Sequence, residues 1–301
     1  MSRYIAIALA CATAAFAAWQ TPVNLGAVVN SAYGDWYPVV TPDGAYMFFV
    51  STRPGGYGGG DIWCSANVAG EWQAPVNCGA NVNTAGLDTG IALTSTGSNL
   101  YFASDAAGTF GDLDVWAAPV NGGELGTKIH LPSPVNSVYR ECCPVISANG
   151  RDLYFSCEKP GGAGGHDMYV SSWTGSGWGE PVSLGAPNSA YHECPRWISD
   201  DGRTLAFLSW RPIGEGGCDL WYSTKTGASW GEAVNFGSPI NSSGNEFGPW
   251  FHCNHGRMNG VIYFGSTREG GLGDYDIWRA VDTEFPAVAP SSTGRVKALF
   301  R

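Results

Sequence analysis

Five carboxylates recur along the chain at almost constant spacing: Asp35, Asp88, Glu141, Glu193 and Glu246, separated by 53, 53, 52 and 53 residues. Each follows an Asn by five positions, at Asn30, Asn83, Asn136, Asn188 and Asn241. Like charges gathered at one place raise one another's pKa unless cations, backbone donors or a metal compensate. A ring of this kind could therefore supply an acid and base pair for a glycoside hydrolase or polysaccharide lyase, drawn from Asp88, Glu141 and Glu193, or hold a structural cation. The plainer alternative is that the acids pair with Arg53, Arg211 and Arg268, which recur with them, and serve the shared fold. Asp88 stands apart, because Asp105-Ala106 occupies the place where the first, fourth and fifth repeats carry Arg.

What breaks the symmetry is the set of neighbours. The residue before each acid changes from Gly34 to Leu87, Arg140, His192 and Asn245, and the residues after it include Trp36, Cys142, Cys194, Arg196, Trp197, Phe247 and Trp250. Unlike groups on a repeated scaffold are how a symmetric fold builds one asymmetric site. Asp35, Trp36, Arg140, His192, Arg196, Trp197, Glu246 and Trp250 would then bind a ligand, and rings beside charged groups suit a sugar or acidic glycan. The alternative for Trp36 and Trp250 is that they plug a central channel.

The elements that must position these groups follow from the same period. Five apolar runs ending in Ser (Tyr46 to Ser51, Leu100 to Ser104, Leu153 to Ser156, Leu205 to Ser209, Ile262 to Ser266) each lead through a Gly-rich loop to an Asp-apolar-aromatic triplet such as Asp61-Ile62-Trp63. Short β-branched and aromatic runs punctuated by Gly, Pro, Asn and Asp predict strands, and Asp43-Gly44, Asn149-Gly150 and Asp201-Gly202 predict tight turns between the first two strands of a unit. Four strands at this period predict a propeller blade. The expected fold is all-β, a five-bladed propeller of four-stranded blades. The fifth unit lacks an outer strand, while Trp19 to Gly26 nearly repeats Trp72 to Gly79, so the N-terminal strand should complete the last blade and close the ring.

The run from Pro38 to Asp61, with Thr41-Pro42-Asp43-Gly44, Phe48-Phe49, Ser51-Thr52-Arg53 and then Asp61-Ile62-Trp63, resembles the WD-like β-propeller repeat of the TolB type. The resemblance extends over about residues 30 to 281, and the second repeat departs from it, since Thr94 to Gly97 lacks the Pro-Asp pair. It implies an envelope or extracellular protein that docks proteins or glycans through its funnel face. It does not by itself imply an activity, because propellers host unrelated functions.

Composition narrows the partners. With 16 Lys and Arg against 26 Asp and Glu, the net charge of −10 disfavours a nucleic-acid partner. The 43 Gly and 18 Pro leave little room for long helices. Arg3, the apolar run from Tyr4 to Ala15 and Ala15-Phe16-Ala17 read as a signal peptide cleaved near Ala17, with a lipoprotein site at Cys11 as the alternative. The expected divisions are therefore a signal peptide over 1–17, the propeller over 18–286 and a basic tail over 287–301. The protein should be secreted, periplasmic or otherwise in the envelope, with no membrane span and a glycan or protein ligand; an envelope scaffold without a small ligand is the alternative. In an oxidising compartment the remaining cysteines predict disulfides, with Cys143–Cys157 and Cys64–Cys78 as pairs across predicted hairpins. Zinc on His252, Cys253 and His255 is the competing use of that region, and no resident cofactor is expected. The Gly55 to Gly60 loop joins two strands instead of opening a helix, so it does not read as a phosphate loop.

Overall fold

The computed structural model describes residues 19–252 and 260–283. The signal segment, Cys11, Cys253, His255 and the tail over 287–301 lie outside the described residues. Five antiparallel sheets follow one another along the chain. The first blade is built from Asp35–Val40, Tyr46–Ser51 and Asp61–Val68, and its outer position is shared by the short stretches Glu71–Trp72 and Val76–Asn77. The second and fourth blades divide their outer position in the same way, so the outermost of four strand positions is two short pieces in those three blades. Among the described residues no helix is long and apolar enough to cross a membrane.

Each blade is covered on both faces, and this is why its second strand reads as an unbroken apolar run. Met47, Phe48, Phe49 and Val50 are all fully buried. Val39, Phe48 and Ile62 of the first blade pack against Ile91, Leu100 and Phe102 of the second, and similar layers fill the other junctions. Enclosing one such side chain contributes about 1.5–3 kcal/mol, so the junctions between blades carry most of the apolar driving force. The ring is closed as the sequence predicts: Val23 and Asn24 pair with Arg279 and Trp278 of the last blade, Trp19 bridges Asp282, and the Gln20 amide donates to the Val281 carbonyl at 2.9 Å.

The repeated Asn residues staple neighbouring blades. Asn83 accepts from the Ile62 amide at 2.8 Å and donates to the Ile62 carbonyl at 3.0 Å, so its side chain acts as a strand edge for the preceding blade. Asn136 does the same to Val115, Asn241 to Leu220 and Asn30 to Ile277 across the closure. The Gly-rich loops rest on the neighbouring Asn-to-acid loop. A Cβ at Gly58 would collide with the carbonyls of Thr84 and Gly86, and one at Gly111 with that of Tyr139, so close backbone approach is what requires glycine there.

The cysteines depart from expectation. All seven described cysteines are unbridged. Cys64 faces Val76 in the register, which leaves Cys78 a diagonal neighbour, and such positions lie ~7–8 Å apart, beyond the usual reach of a disulfide. Cys143 has φ +55° at a bulge in its strand, which turns it away from the hairpin partner that spacing alone suggested. Cys157 occupies the position that Ser fills in every other blade, facing Glu141, so the third apolar run properly ends at Cys157 and not at Ser156.

Candidate functional site

Register brings three repeated side chains into one row at the same end of each blade. Asp35 faces Ser51 and Ser51 faces Asp61; Glu193, Ser209 and Asp219 repeat the arrangement. The Asn-to-acid loop and the Gly-rich loop both reach this end, which we call the acid face. The five ring carboxylates are at most 1% exposed. Each turns back to its own blade and accepts from the residue following the repeated Asn, which is Ser or Thr in every case. The Ser31 amide and hydroxyl reach Asp35 at 2.7 and 2.8 Å, and Ser242 holds Glu246 at 3.1 and 2.6 Å. Arg53, Arg211 and Arg268 pair with Asp35, Glu193 and Glu246 at 2.5, 3.1 and 3.2 Å. The Asp of each triplet caps loop amides, as Asp114 does for Phe110 at 2.7 Å.

The two acids without Arg are compensated differently. Asp88 accepts from the Thr84 amide at 2.6 Å, the Thr84 hydroxyl at 3.1 Å and the Ser104 hydroxyl at 2.5 Å. Burial nevertheless pushes its pKa up, with these bonds and the charge of Lys128 opposing. Ala106 stands where Arg would be, and Asp105 before it caps the Leu87 amide at 2.8 Å, as the Thr52 hydroxyl does for Gly34. Glu141 accepts from the Ser137 amide at 3.0 Å and from the Cys157 thiol at 3.2 Å, and burial raises its pKa too.

The axis is lined by a bulge that recurs in every inner strand, opening two residues after the acid in four blades and at Arg196, three residues after Glu193, in the fourth. Gly90 and Gly248 take positive φ there, and so do Tyr37 at +56° and Cys143 at +55°. A left-handed residue other than glycine costs about 1 kcal/mol or more and persists where the surroundings impose it. The bulges aim unlike groups at one centre. The thiols of Cys142, Cys143 and Cys194 lie within 4.8 Å of one another. Hydrogen bonds from Cys142 and Cys194 hold the Cys143 thiol well below its ordinary pKa, with the Arg196 charge adding to the effect. Arg196 is 2% exposed; it stacks over Tyr37 at 3.8 Å and donates through Nη2 to the Ile91 carbonyl at 3.1 Å. Its Nε and Nη1 have no hydrogen-bond partner.

Of the residues that the sequence singled out for binding, the structure keeps some together and separates others. Asp35 and Glu246 are enclosed as described. Trp36, Arg140 and His192 lie on the acid face; Trp36 stands edge-on to Tyr37 and Tyr275, and His192 packs between His166 and Trp210. Trp197 and Trp250 line the opposite mouth, a hollow of about 100 Å³. There Trp250 donates to the Val40 carbonyl at 3.1 Å and packs against four of the apolar layers, so it plugs the channel.

Sequence reasoning overlooked two features of the acid face. One is His166, whose Nδ1 lies 3.8 Å from the Cys142 sulfur and 3.9 Å from that of Cys194. The other is a collar of exposed rings on the loops: Tyr33, Tyr57, Phe110, Tyr139, Tyr191 and Trp210. Their signal is in the sequence, since each stands in an Asn-to-acid or Gly-rich loop where the period predicts solvent. A hollow of about 260 Å³ opens beside Tyr139, lined also by Gly111, Asp112, Val138, Arg140 and Glu158.

Fold and site together define a five-bladed β-propeller with a ring-collared acid face. No protein-family model and no curated protein matches the chain. Among solved structures it is similar to TolB from Acinetobacter baumannii, at 14% identity and a TM-score of 0.50, over 86% of this chain and 57% of that one. The chain thus spans little more than half the length of that protein. It is also similar to an alpha-L-arabinofuranosidase from Lactobacillus brevis (14% identity, TM-score 0.53, 82% of this chain and 90% of that one). An endo-arabinase from Bacteroides thetaiotaomicron VPI-5482 gives 10% identity and a TM-score of 0.53 over 84% and 94% of the two chains. At these identities the likeness is one of fold.

Proposed function

We propose that this protein is an exported binding module that recognises a glycan at the acid face. The observation that carries this reading is the collar of six exposed rings on loops anchored to a rigid scaffold. Rings held so stack on pyranose faces with little loss of conformational freedom, and Arg140, Asp112 and Glu158 in the adjoining hollow supply hydrogen-bonding groups. A hydrolase using Asp88, Glu141 and Glu193 would need those carboxylates to reach a sugar. Their near-complete burial and saturated hydrogen bonds support binding over cleavage.

The test is a glycan array followed by calorimetry on the strongest hit, with an arabinan included because two structures of this fold are an arabinofuranosidase and an endo-arabinase. Replacing Phe110 and Tyr139 together by Ala should weaken binding roughly 5- to 160-fold, at ~0.5–1.5 kcal/mol for each stacked ring, without changing the melting temperature. A blank array beside specific capture of a protein would replace the glycan by a protein ligand. Sugar release that Glu193→Gln abolishes would replace binding by catalysis.

A further inference from the structure

We propose that the propeller axis is a zinc site in which Cys142, Cys143 and Cys194 supply three sulfur ligands and His166 the fourth. The ligands come from adjacent blades. Cys142 and Cys143 lie on the inner strand Glu141–Ile146, Cys194 on the inner strand Glu193–Ile198, and His166 on the loop after Asp152–Cys157. Zinc with Zn–S bonds of ~2.3 Å and a Zn–N bond of ~2.0–2.1 Å has ligand-to-ligand edges of roughly 3.5–3.8 Å. Nδ1 of His166 already stands 3.8 and 3.9 Å from two of the sulfurs; the three sulfurs, within 4.8 Å of one another, need to contract by no more than about 1 Å, while the longer edge from His166 to Cys143 must close by more than about 1 Å.

The surroundings are those of a metal-binding imidazole. Nε2 of His166 bonds the Glu158 carboxylate, the arrangement that fixes the tautomer and leaves Nδ1 free to ligate. The His192 ring stands edge-on to His166 at 4.9 Å, and its Nδ1 accepts from the His166 amide at 3.2 Å. Charge selects the ion. Three thiolates and Zn²⁺ leave one net negative charge, and the buried Arg196, with Nε and Nη1 unpartnered, supplies one positive charge beside it. A monovalent soft ion would leave two negative charges against the same guanidinium. His166 keeps 17% of its side chain exposed on the acid face, which gives the ion a route in. Binding releases the protons of the thiols that are still protonated to solvent. The backbone agrees, since Cys143 adopts a conformation that Gly90 and Gly248 adopt without cost at the equivalent positions.

The experiment uses reduced, chelator-stripped full-length protein carrying Cys253→Ser, titrated with zinc against a chromophoric competitor, with X-ray absorption on the loaded form. One equivalent of zinc with three sulfur neighbours and one nitrogen neighbour is expected. Cys143→Gly should stay folded and melt near the wild-type temperature without metal, because relief of the positive φ offsets loss of the buried thiol, yet bind zinc at least 100-fold more weakly. Glu158→Gln should cost 10- to 100-fold in affinity. Unchanged affinity in Cys143→Gly, a shell of only nitrogen and oxygen, or reduced protein that takes up no zinc would overturn the proposal.

Discussion

Replacing Glu193 by Gln tests whether the ring acids hold the fold or serve a ligand. The carboxylate is fully enclosed and accepts from the Ser189 amide at 2.9 Å, the Ser209 hydroxyl at 2.8 Å and Arg211 at 3.1 Å. Gln keeps the shape and one acceptor but brings an amide NH2 toward donors and leaves Arg211 without its counter-charge. Removing one partner of a buried pair costs about 3–5 kcal/mol. Arg211 retains the Pro187 carbonyl at 2.7 Å and 12% side-chain exposure, so we place the cost at about 2–4 kcal/mol. For a chain of this size that is roughly 5–15 °C in melting temperature. Asp88→Asn should differ, because no guanidinium is orphaned and the Ser104 hydroxyl can rotate to accept from the new amide; about 1 kcal/mol is expected. Scanning calorimetry of both variants decides the matter. A Glu193→Gln protein melting within about 2 °C of wild type would refute the view that this ion pair holds the blade.

Two further outcomes follow from the same geometry. Burial raises the pKa of Asp88 in the folded state, so the native protein binds that proton more readily than the unfolded chain. Its contribution is complete below the unfolded-state pKa and is lost as pH rises through the folded-state value; urea denaturation across that range should show a shallower fall in stability for Asp88→Asn than for wild type. Asn83→Leu should destabilise by about 2–4 kcal/mol in urea denaturation, since the buried Ile62 amide loses its acceptor. A loss below about 0.5 kcal/mol would mean that the Asn staples do not join the blades.

Much of the blade was legible in the chain because it is written locally and then repeated. The Asn, the acid, the terminal Ser and the Asp-apolar-aromatic triplet each perform one hydrogen-bonding task per blade, and a task repeated at one period shows itself. The Ser or Thr after each Asn was equally visible and explains how the acids are satisfied within their own loops. Asp88 also stood out as a ring acid lacking an Arg, and the structure shows hydroxyl and amide donors taking that place.

The axis was not legible, and the cysteines show why. Hairpin spacing pairs Cys143 with Cys157, but a bulge of one residue rotates Cys143 toward the centre, and no local pattern announces it. Cys194 and His166 reach Cys142 only because the ring folds adjacent blades together, and Trp197 and Trp250 reach the far mouth because the inner strand runs along the axis at ~3.3 Å per residue, which carries a residue four places beyond the acid to the other end. The amino-acid sequence by itself determined the strand repeat, the number of blades and the closure by the N-terminal strand, since these follow from periodic hydrophobicity and turn chemistry. Only the tertiary structure decided which side chains meet at the centre, because that depends on bulge geometry and on packing between blades some fifty residues apart.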